Sequence, residues 1–490
     1  MSANGTDLPK NWLRAKLGDI TQPTRPRHSP GDYPELRFVG MEHIEAHTMR
    51  LLGTVPAESM RSSAVHFQPG DVLYGRLRPY LNKVFRPDFE GLCSAEFIVF
   101  PETDSLDQKY LQYLLNSAEF VAFAAHLNAG DRPRVDFDQI ADFDFPLAPL
   151  AEQKRIVAEI EKQFTRLDAT VAALKRLQAN LKRYRAAVLK AACEGHLTAD
   201  WRKRPHVEKS HGSLLEQVLS ERKANWERGP FRPPISMQNS ELVNLPASWT
   251  WQPFDAFVTD SFYGPRFGES EYAEEGVPTI RTTDIAFGGR ITLKDPPRID
   301  LKKEDLKKFG LRDGDLLVTR TGATIGKCAL YKESIGPAIP SAYLIRFRLT
   351  RMSVPPSYLL LFLMSPRGQE MLLRRSTAVA QPNVNATTIA QFAVPLPPRE
   401  EIDEIVRRVD ELFESAEATE KNVTAAQSKV EKLRQSILAR AFDGKLVPQE
   451  ANDEPAQVLL ERIRADRNAS HKSIPPAPRG RRKKEAAHVS

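Results

Sequence analysis

Two clusters of guanidinium, amide, amine and hydroxyl groups, each just after a Gly-Asp pair, are the residues here best suited to binding chemistry. The first, V-L-Y-G-R-L-R-P-Y-L-N-K-V-F-R, supplies Arg76, Arg78, Asn82, Lys83 and Arg86. The second follows Gly314-Asp315 and supplies Arg320, Thr321, Thr324 and Lys327. An arginine can hold guanine bidentately from the major groove, an asparagine can read adenine, and Lys or Thr can hold a phosphate. The plain alternative for each residue is a solvated loop. Charge alone does not choose between them. Residues 1–145 carry 15 basic and 20 acidic side chains, and residues 245–394 carry 19 and 15. If the first segment binds DNA, its positive charge must be concentrated on one face.

Catalytic patterns are imitated but not met. T-G-A-T-I-G-K (Thr321 to Lys327) has three residues between its glycines where a phosphate loop needs four, and Cys328 stands where Ser or Thr would hold magnesium. D-P-P-R (Asp295 to Arg298) lacks the aromatic that would stack on a flipped base, and no glycine-rich cofactor loop precedes it. Pro87-Asp88 followed by Glu96 imitates a nuclease core, but Ile98 occupies the lysine's place. The 10 histidines show no metal-ligand spacing. Cys93, Cys193 and Cys328 are too scattered for a disulfide framework or a zinc site, so a reducing cytoplasm is the expected setting. No catalytic residue, metal or cofactor is expected on this chain.

The elements that carry these clusters are duplicated. Shifted by 249, residues 146–198 align with 395–447 without a gap, and 15 of 53 pairs are identical. Both copies open with P-L-x-P-x-x-E (Pro146 to Glu152, Pro395 to Glu401) and close with G-x-L (Gly195 to Leu197, Gly444 to Leu446). Upstream, Pro133, Val135, Ile140, Ala141 and Phe143 return as Pro382, Val384, Ile389, Ala390 and Phe392. Fainter echoes drift in offset as loop insertions would make them: L-P-K-N-W with L-P-A-S-W, G-D-V-L-Y-G-R with G-D-L-L-V-T-R, S-A-E-F-I-V-F with S-A-Y-L-I-R-F. The chain therefore reads as a variable domain followed by a long helix, twice over.

Each long helix carries a heptad. Ile160, Leu167, Leu174, Leu181 and Val188 lie seven apart, as do Val409, Ala416, Val423, Val430 and Ile437, which argues for a coiled coil. Gln178 and Arg185 recur as Gln427 and Arg434, either as polar seam layers or as exposed residues near frayed ends. Residues 152–190 carry 10 basic and 4 acidic groups, residues 401–440 carry 7 and 9, an asymmetry that favours pairing of the two helices. The variable domains read as mixed α/β. Short β-branched runs suggest a twisted, barrel-like sheet, and helices are expected over Asp107–Leu127 and Pro356–Arg374. The expected boundaries are 1–145 and 245–394 for the variable domains, and 146–198 and 395–447 for the long helices. Residues 199–244 form a connector with a short helix, and 448–490 hold an echo of that helix and a basic tail expected to be disordered. At 490 residues more than one core is expected; 41% hydrophobic and 27% charged residues describe an ordinary soluble chain, with no apolar run long enough for a membrane and no signal peptide.

The repeated P-L-A-P-L-A-E-Q-K-R-I-V and P-L-P-P-R-E-E-I-D-E-I-V segments, the G-x-L helix ends and the paired G-D-[VL]-L strand-turns resemble the DNA-specificity subunit of type I restriction–modification systems. The likeness covers most of the chain. It implies an α/β (α+β) fold in which two target-recognition domains are separated by two long antiparallel coiled-coil helices, in a pseudo-two-fold repeat. It also implies a non-catalytic subunit that reads a bipartite site on double-stranded DNA. Two modification subunits, which bind S-adenosylmethionine and methylate adenine, would dock on the helices, and restriction subunits using ATP and magnesium would join them. On that reading Arg76, Arg78, Asn82, Lys83, Arg320, Thr321, Thr324 and Lys327 are the expected DNA-binding residues. Glu401-Ile402 departs from the Glu-Gln of Glu152-Gln153, which would make docking asymmetric. The alternative is a coiled-coil scaffold whose domains no longer bind DNA; a self-sufficient methyltransferase is disfavoured by the missing motifs.

Overall fold

Both heptad stretches form helices of 44 residues, Leu150–Cys193 and Arg399–Phe442, in a computed structural model that describes residues 8–23, 26–127, 132–204, 213–237, 242–286, 288–374 and 383–472. All five seam residues of the second helix are buried, as are Ile160 and Val188 of the first. Each helix stops at a glycine in the left-handed region, Gly195 (φ 79°) and Gly444 (φ 69°), where an L side chain would be strained. The reversal lets the Leu197 N–H donate to the Ala191 carbonyl (3.0 Å) and the Lys445 N–H donate to the Arg440 carbonyl (2.8 Å).

The chain divides into two compact units, residues 1–174 with 425–490, and residues 175–424. In each, portions of the two long helices run antiparallel. In the first unit Arg434 pairs with Asp168 and lies over Phe164, while Arg155 pairs with Glu450 and Asp453 beyond the other helix's end. In the second unit Arg185 pairs with Glu420 and lies over Phe413. Arg185 and Phe413 correspond through the repeat to Arg434 and Phe164. The expected polar layer is therefore a guanidinium resting on an aromatic face in both units, not an exposed residue at a frayed end.

The domains differ from the barrel-like sheet expected of them. The first has a three-stranded sheet with Val72–Gly75 between Val84–Phe85 and Phe97–Phe100. A five-stranded sheet runs in the order Arg27–His28, Ala64–Phe67, Gly91–Ser94, Arg37–Val39, Val55–Pro56, and a ribbon joins Leu13–Lys16 to Asp144–Leu147. The second has two four-stranded sheets and the matching ribbon of Thr250–Pro253 with Ala393–Leu396. These strands are two to six residues long and fall into separate open sheets of two to five strands. Small sheets instead enclose separate cores. Val72 and Tyr74 point into one cluster and Leu73 into another; Leu316 and Val318 are likewise divided from Leu317. The larger core of each unit takes in the same four positions of a helix end, Ile437, Leu438, Ala441 and Phe442 in one, Val188, Leu189, Ala192 and Cys193 in the other.

Each expected domain helix is broken once. Gln108–Leu114 yields to Ala118–His126 at Ser117, whose hydroxyl accepts the Phe120 N–H (3.2 Å). Pro356–Met364 yields to Pro366–Arg374 at the proline, which has no N–H to continue the ladder. The short helices Ser213–Ala224 and Ala456–Lys472 form as expected. The boundaries drawn at 145 and 394 fall inside the ribbon strands Asp144–Leu147 and Ala393–Leu396. The basic tail beyond Lys472 and Pro382 lie outside the described residues. No helix among the described residues is long and apolar enough to cross a membrane.

The end of the first long helix is clasped by a hydrogen-bonded cluster around Arg408. Arg408 donates to the Leu197 carbonyl (2.7 Å), to Asp200 (2.7 Å) and to Glu404 (2.7 Å). Hydrogen bonding from Arg408 holds the Asp200 carboxyl well below the usual range, and hydrogen bonds from Arg407 and Arg408 push Glu404 down to about 2. A carboxylate whose folded pKa is depressed stabilises the fold above its unfolded value of about 4 and ceases to as pH falls through the folded value. Arg408→Ala is therefore expected to lower the melting temperature at pH 7, with the deficit against the parent protein shrinking between about pH 4 and pH 2. Thermal scans at each pH check this; a deficit constant with pH would mean that Arg408 acts through packing alone.

Candidate nucleic-acid interface

The two basic clusters occupy one and the same turn. In the first domain the Arg76 N–H donates to the Glu96 carbonyl and the Arg76 carbonyl accepts from Val135. In the second the Arg320 N–H donates to the Tyr343 carbonyl and the Arg320 carbonyl accepts from Val384. Gly75 bonds to the Lys83 carbonyl as Thr319 does to that of Lys327. Residue 77 bridges residue 134 as residue 321 bridges residue 383. Arg76–Lys83 thus shares with Arg320–Lys327 the backbone bonds at both ends and an inner one, Leu81 N–H to the Arg78 carbonyl matched by Ile325 N–H to the Gly322 carbonyl. The decoy T-G-A-T-I-G-K is simply the second copy of L-R-P-Y-L-N-K.

Side chains at matching positions are used alike in one case and differently in others. Lys83 donates to the Met41 carbonyl (2.6 Å) and Lys327 to the Thr282 carbonyl (3.2 Å). Both ammonium groups brace the turn against a neighbouring segment. Arg76 is committed to an ion pair with Asp136, and burial with Arg134 nearby lowers its pKa from the ordinary value. Arg320 lies over Tyr263 (4.6 Å) with Nε donating to Asn383 (3.3 Å), and no hydrogen bond of its Nη groups is found among the described residues. Thr321 and Thr324 are half-buried on the same turn. Arg78 is exposed, with no side-chain partner among the described residues, and Tyr80 beside it is 45% exposed.

Asn82 does not fit the adenine-reading expectation. It is only 2% exposed, its backbone is left-handed (φ 42°), and its carbonyl accepts the His47 N–H (3.1 Å). Its geometry assigns it to holding the turn. Arg86 pairs with Glu102 (3.2 Å). The free groups that the turns present are thus concentrated on Arg78, Tyr80 and Arg320. A hairpin closed by Ile44 and Leu51 flanks the first turn, and one closed by Ile285 and Ile291 has the same place in the second domain. The constant offset of 244 from Gly70-Asp71 through Lys83 was a legible signal for this equivalence.

A second repeated constellation positions each domain on the helices. Trp12 donates to buried Glu152 (2.8 Å), as Trp249 does to buried Glu401 (2.9 Å). Glu152 also accepts from Gln449 (2.6 Å), and Glu401 from Thr198 (2.6 Å) and Arg202. Burial raises the Glu152 carboxyl above its ordinary value. Each carboxylate thereby joins a domain's first tryptophan, the start of one long helix and the segment trailing the other. A Cβ on Gly444 would collide with Pro9, and one on Gly195 with Pro246, at 2.4 Å in both cases. These tryptophans were visible in the repeated L-P-x-x-W, although nothing local names their partner. Gln153 is fully buried, donating to the Ala148 carbonyl (2.9 Å), and Ile402 is buried in the other core. Gln153 also accepts the Asp107 N–H (3.1 Å), so it makes two bonds that Ile402 cannot make.

Among the described residues, no group of three or more His, Cys, Asp or Glu is arranged to hold a metal ion. A family model described as the type I restriction modification DNA specificity domain matches residues 9–183 and 264–426. The type I restriction enzyme EcoBI specificity subunit of Escherichia coli is 32% identical over 344 residues, 68% of this chain and 66% of the relative. The EcoKI specificity subunit of Escherichia coli strain K12 is 31% identical, covering 71% of this chain and 68% of the relative. The chain thus matches about two thirds of the length of these relatives. A solved chain from work on complex assembly and conformational transition of the type I R-M system aligns over 90% of this chain and 100% of its own length, with TM-score 0.61 and 21% identity, a likeness of fold.

Proposed function

Because the chain belongs to the type I restriction–modification DNA-specificity family, we propose that it is the specificity subunit of such a complex, reading a bipartite DNA site. The observation that supports this best is the repeated turn. Two domains carry one backbone design with different side chains, which suits two half-sites of different sequence. Each domain is keyed through a buried glutamate to the helices, so recognition and assembly surfaces are mechanically joined. Two modification subunits suit the duplicated helices, and restriction subunits would complete the complex in the cytoplasm. S-adenosylmethionine, ATP and magnesium are assigned to those partners, and this chain is read as non-catalytic. Arg78, Arg320, Thr321 and Thr324 face the DNA on this reading, while Arg76, paired with Asp136, joins Asn82, Lys83 and Lys327 in shaping the turns that carry them.

Selection from a random-duplex library, with and without the modification subunit, tests the reading. An enriched bipartite site supports it; absence of any sequence preference in the assembled complex would favour a scaffold. Incubating the chain alone with labelled S-adenosylmethionine and DNA tests the assignment of chemistry to the partner. Arg320→Ala is expected to weaken recognition of one half-site by about 1–3 kcal/mol if the guanidinium holds a guanine edge. Equal losses on specific and random duplexes would make it a phosphate contact, and no loss would return it to the solvated loop.

A further inference from the structure

The two equivalent turns differ at two positions where the backbone is left-handed. Arg78 has φ 52° where Gly322 has φ 76°, and Asn82 has φ 42° where Gly326 has φ 91°. Glycine accepts this conformation freely, whereas an arginine is disfavoured there. A Cβ added to Gly322 would meet nothing within 4 Å, so this position opens outward. At Gly326 it would collide with Gln369 Oε1 at 2.5 Å. The first of the two positions is thus an outlet for a side chain. The first domain fills it with an exposed guanidinium, and the second leaves it empty.

The turn that carries Arg78 is pinned on every side. The Arg78 N–H donates to the Pro133 carbonyl (2.7 Å), the Asn82 N–H to Pro79 (3.0 Å), and the His47 N–H to the Asn82 carbonyl (3.1 Å). Lys83 adds its bond to Met41 (2.6 Å). His47 is itself left-handed (φ 62°), so two strained segments hold each other. A phosphate contact needs no such aim, because a flexible surface arginine reaches a phosphate from many directions. Fixed direction matters for a planar fork that must meet two acceptors in one base edge. Residues 1–145 carry more acidic than basic groups, 20 against 15, so a general positive field is not what holds DNA here.

Resting on the DNA-recognition reading above, we propose that Arg78 is the specificity-determining residue of the first domain, holding the O6 and N7 of a guanine in its half-site. The second domain reads differently, with the free guanidinium two residues earlier in the turn at Arg320 and a bare glycine at the outlet. The two domains share a backbone but not a code. Arg76 is spent on Asp136, which is why the reading group has moved to Arg78.

The test uses the full chain with its modification subunits in cells lacking other adenine methylation, read by methylation-aware sequencing. Arg78→Gly copies the second domain's turn and relieves its backbone, so its melting temperature is expected to be equal to or above that of the parent. Its preference for guanine at one position of the first half-site is expected to fall roughly 5- to 150-fold, the range one bidentate pair supplies. Every other position should keep its preference. Arg78→Lys retains the charge but not the planar fork, so its preference for guanine should fall by less than that of Arg78→Gly. Unchanged preference in both variants overturns the proposal, as does a loss spread equally over all sequences. If the parent complex methylates no defined bipartite site, the DNA-recognition reading fails first and the proposal falls with it.

Discussion

Exchanging residues 245–394 for the matching segment of a relative with a different site is expected to replace one half of the methylated sequence and leave the other intact. The segment contains the second turn with Arg320, Thr321 and Thr324, and it carries most of its own core. Its attachments include the repeated ones, Trp249 to Glu401, Pro246 against Gly195 and strand Thr250–Pro253 paired with Ala393–Leu396. They also include the connector's Glu221, Arg222 and Glu227, which bond to Ser353, Asp255 and Arg348, so the donor must keep these partners too. The junction at 394 cuts strand Ala393–Leu396, so the donor must keep apolar residues at Ala393 and Val394, both buried. A donor that keeps Trp249, Pro246 and these two positions preserves the surface packed on Val188, Leu189 and Ala192 of the first long helix. Sequencing of methylated genomes reads the outcome directly. A change in both halves would sink the modular design, and a change in neither would place recognition outside this segment.

Arg222→Met should be the most damaging single substitution in the second unit, at about 3–5 kcal/mol, the cost of removing one partner from a buried ion pair. Arg222 is 0% exposed. It donates to the carbonyls of Asp255 (2.9 Å), Val258 (3.1 Å) and Arg232 (2.6 Å), and pairs with the Asp255 carboxylate (3.2 Å). Trp226 covers its guanidinium at 4.4 Å. Burial lowers its pKa from the ordinary arginine value, with Asp255 opposing that shift. Methionine fills the volume but removes the donor that the Val258 and Arg232 carbonyls share with Asp255; the Asp255 carbonyl keeps the Val258 N–H, and its carboxylate keeps Arg232 and the Ile235 N–H. Denaturant unfolding of the full chain should show a lower midpoint for the second unit and a near-normal one for the first. Equal stability of the variant would mean that water replaces the guanidinium.

Arg222 also marks the limit of reading the chain alone. In sequence it is one basic residue among many in a connector rich in Lys, Arg and Pro, with nothing to separate it from a solvated charge. Folded, it is the anchor that makes the connector part of the second unit. The same holds at the two basic turns. Arg76, Arg78, Asn82 and Lys83 look interchangeable as binding candidates, yet Asp136, the Met41 carbonyl and a buried backbone claim three of them.

Features that recur, at one fixed offset or within a few residues, were legible before folding. The 249-residue duplication, both heptads, the glycine helix ends and the Gly-Asp turns could all be read directly, because periodicity and backbone permissiveness belong to neighbouring residues. Small sheets in place of one barrel, the break at Ser117, and the burial of Glu152 and Arg222 could not. Whether a charge is free or spent depends on a partner far along the chain, 140 residues away for Trp12 and Glu152, 33 for Arg222 and Asp255. Only the tertiary structure brings such partners together. The cost of burying an unpaired charge then decides which polar groups remain free to meet a ligand.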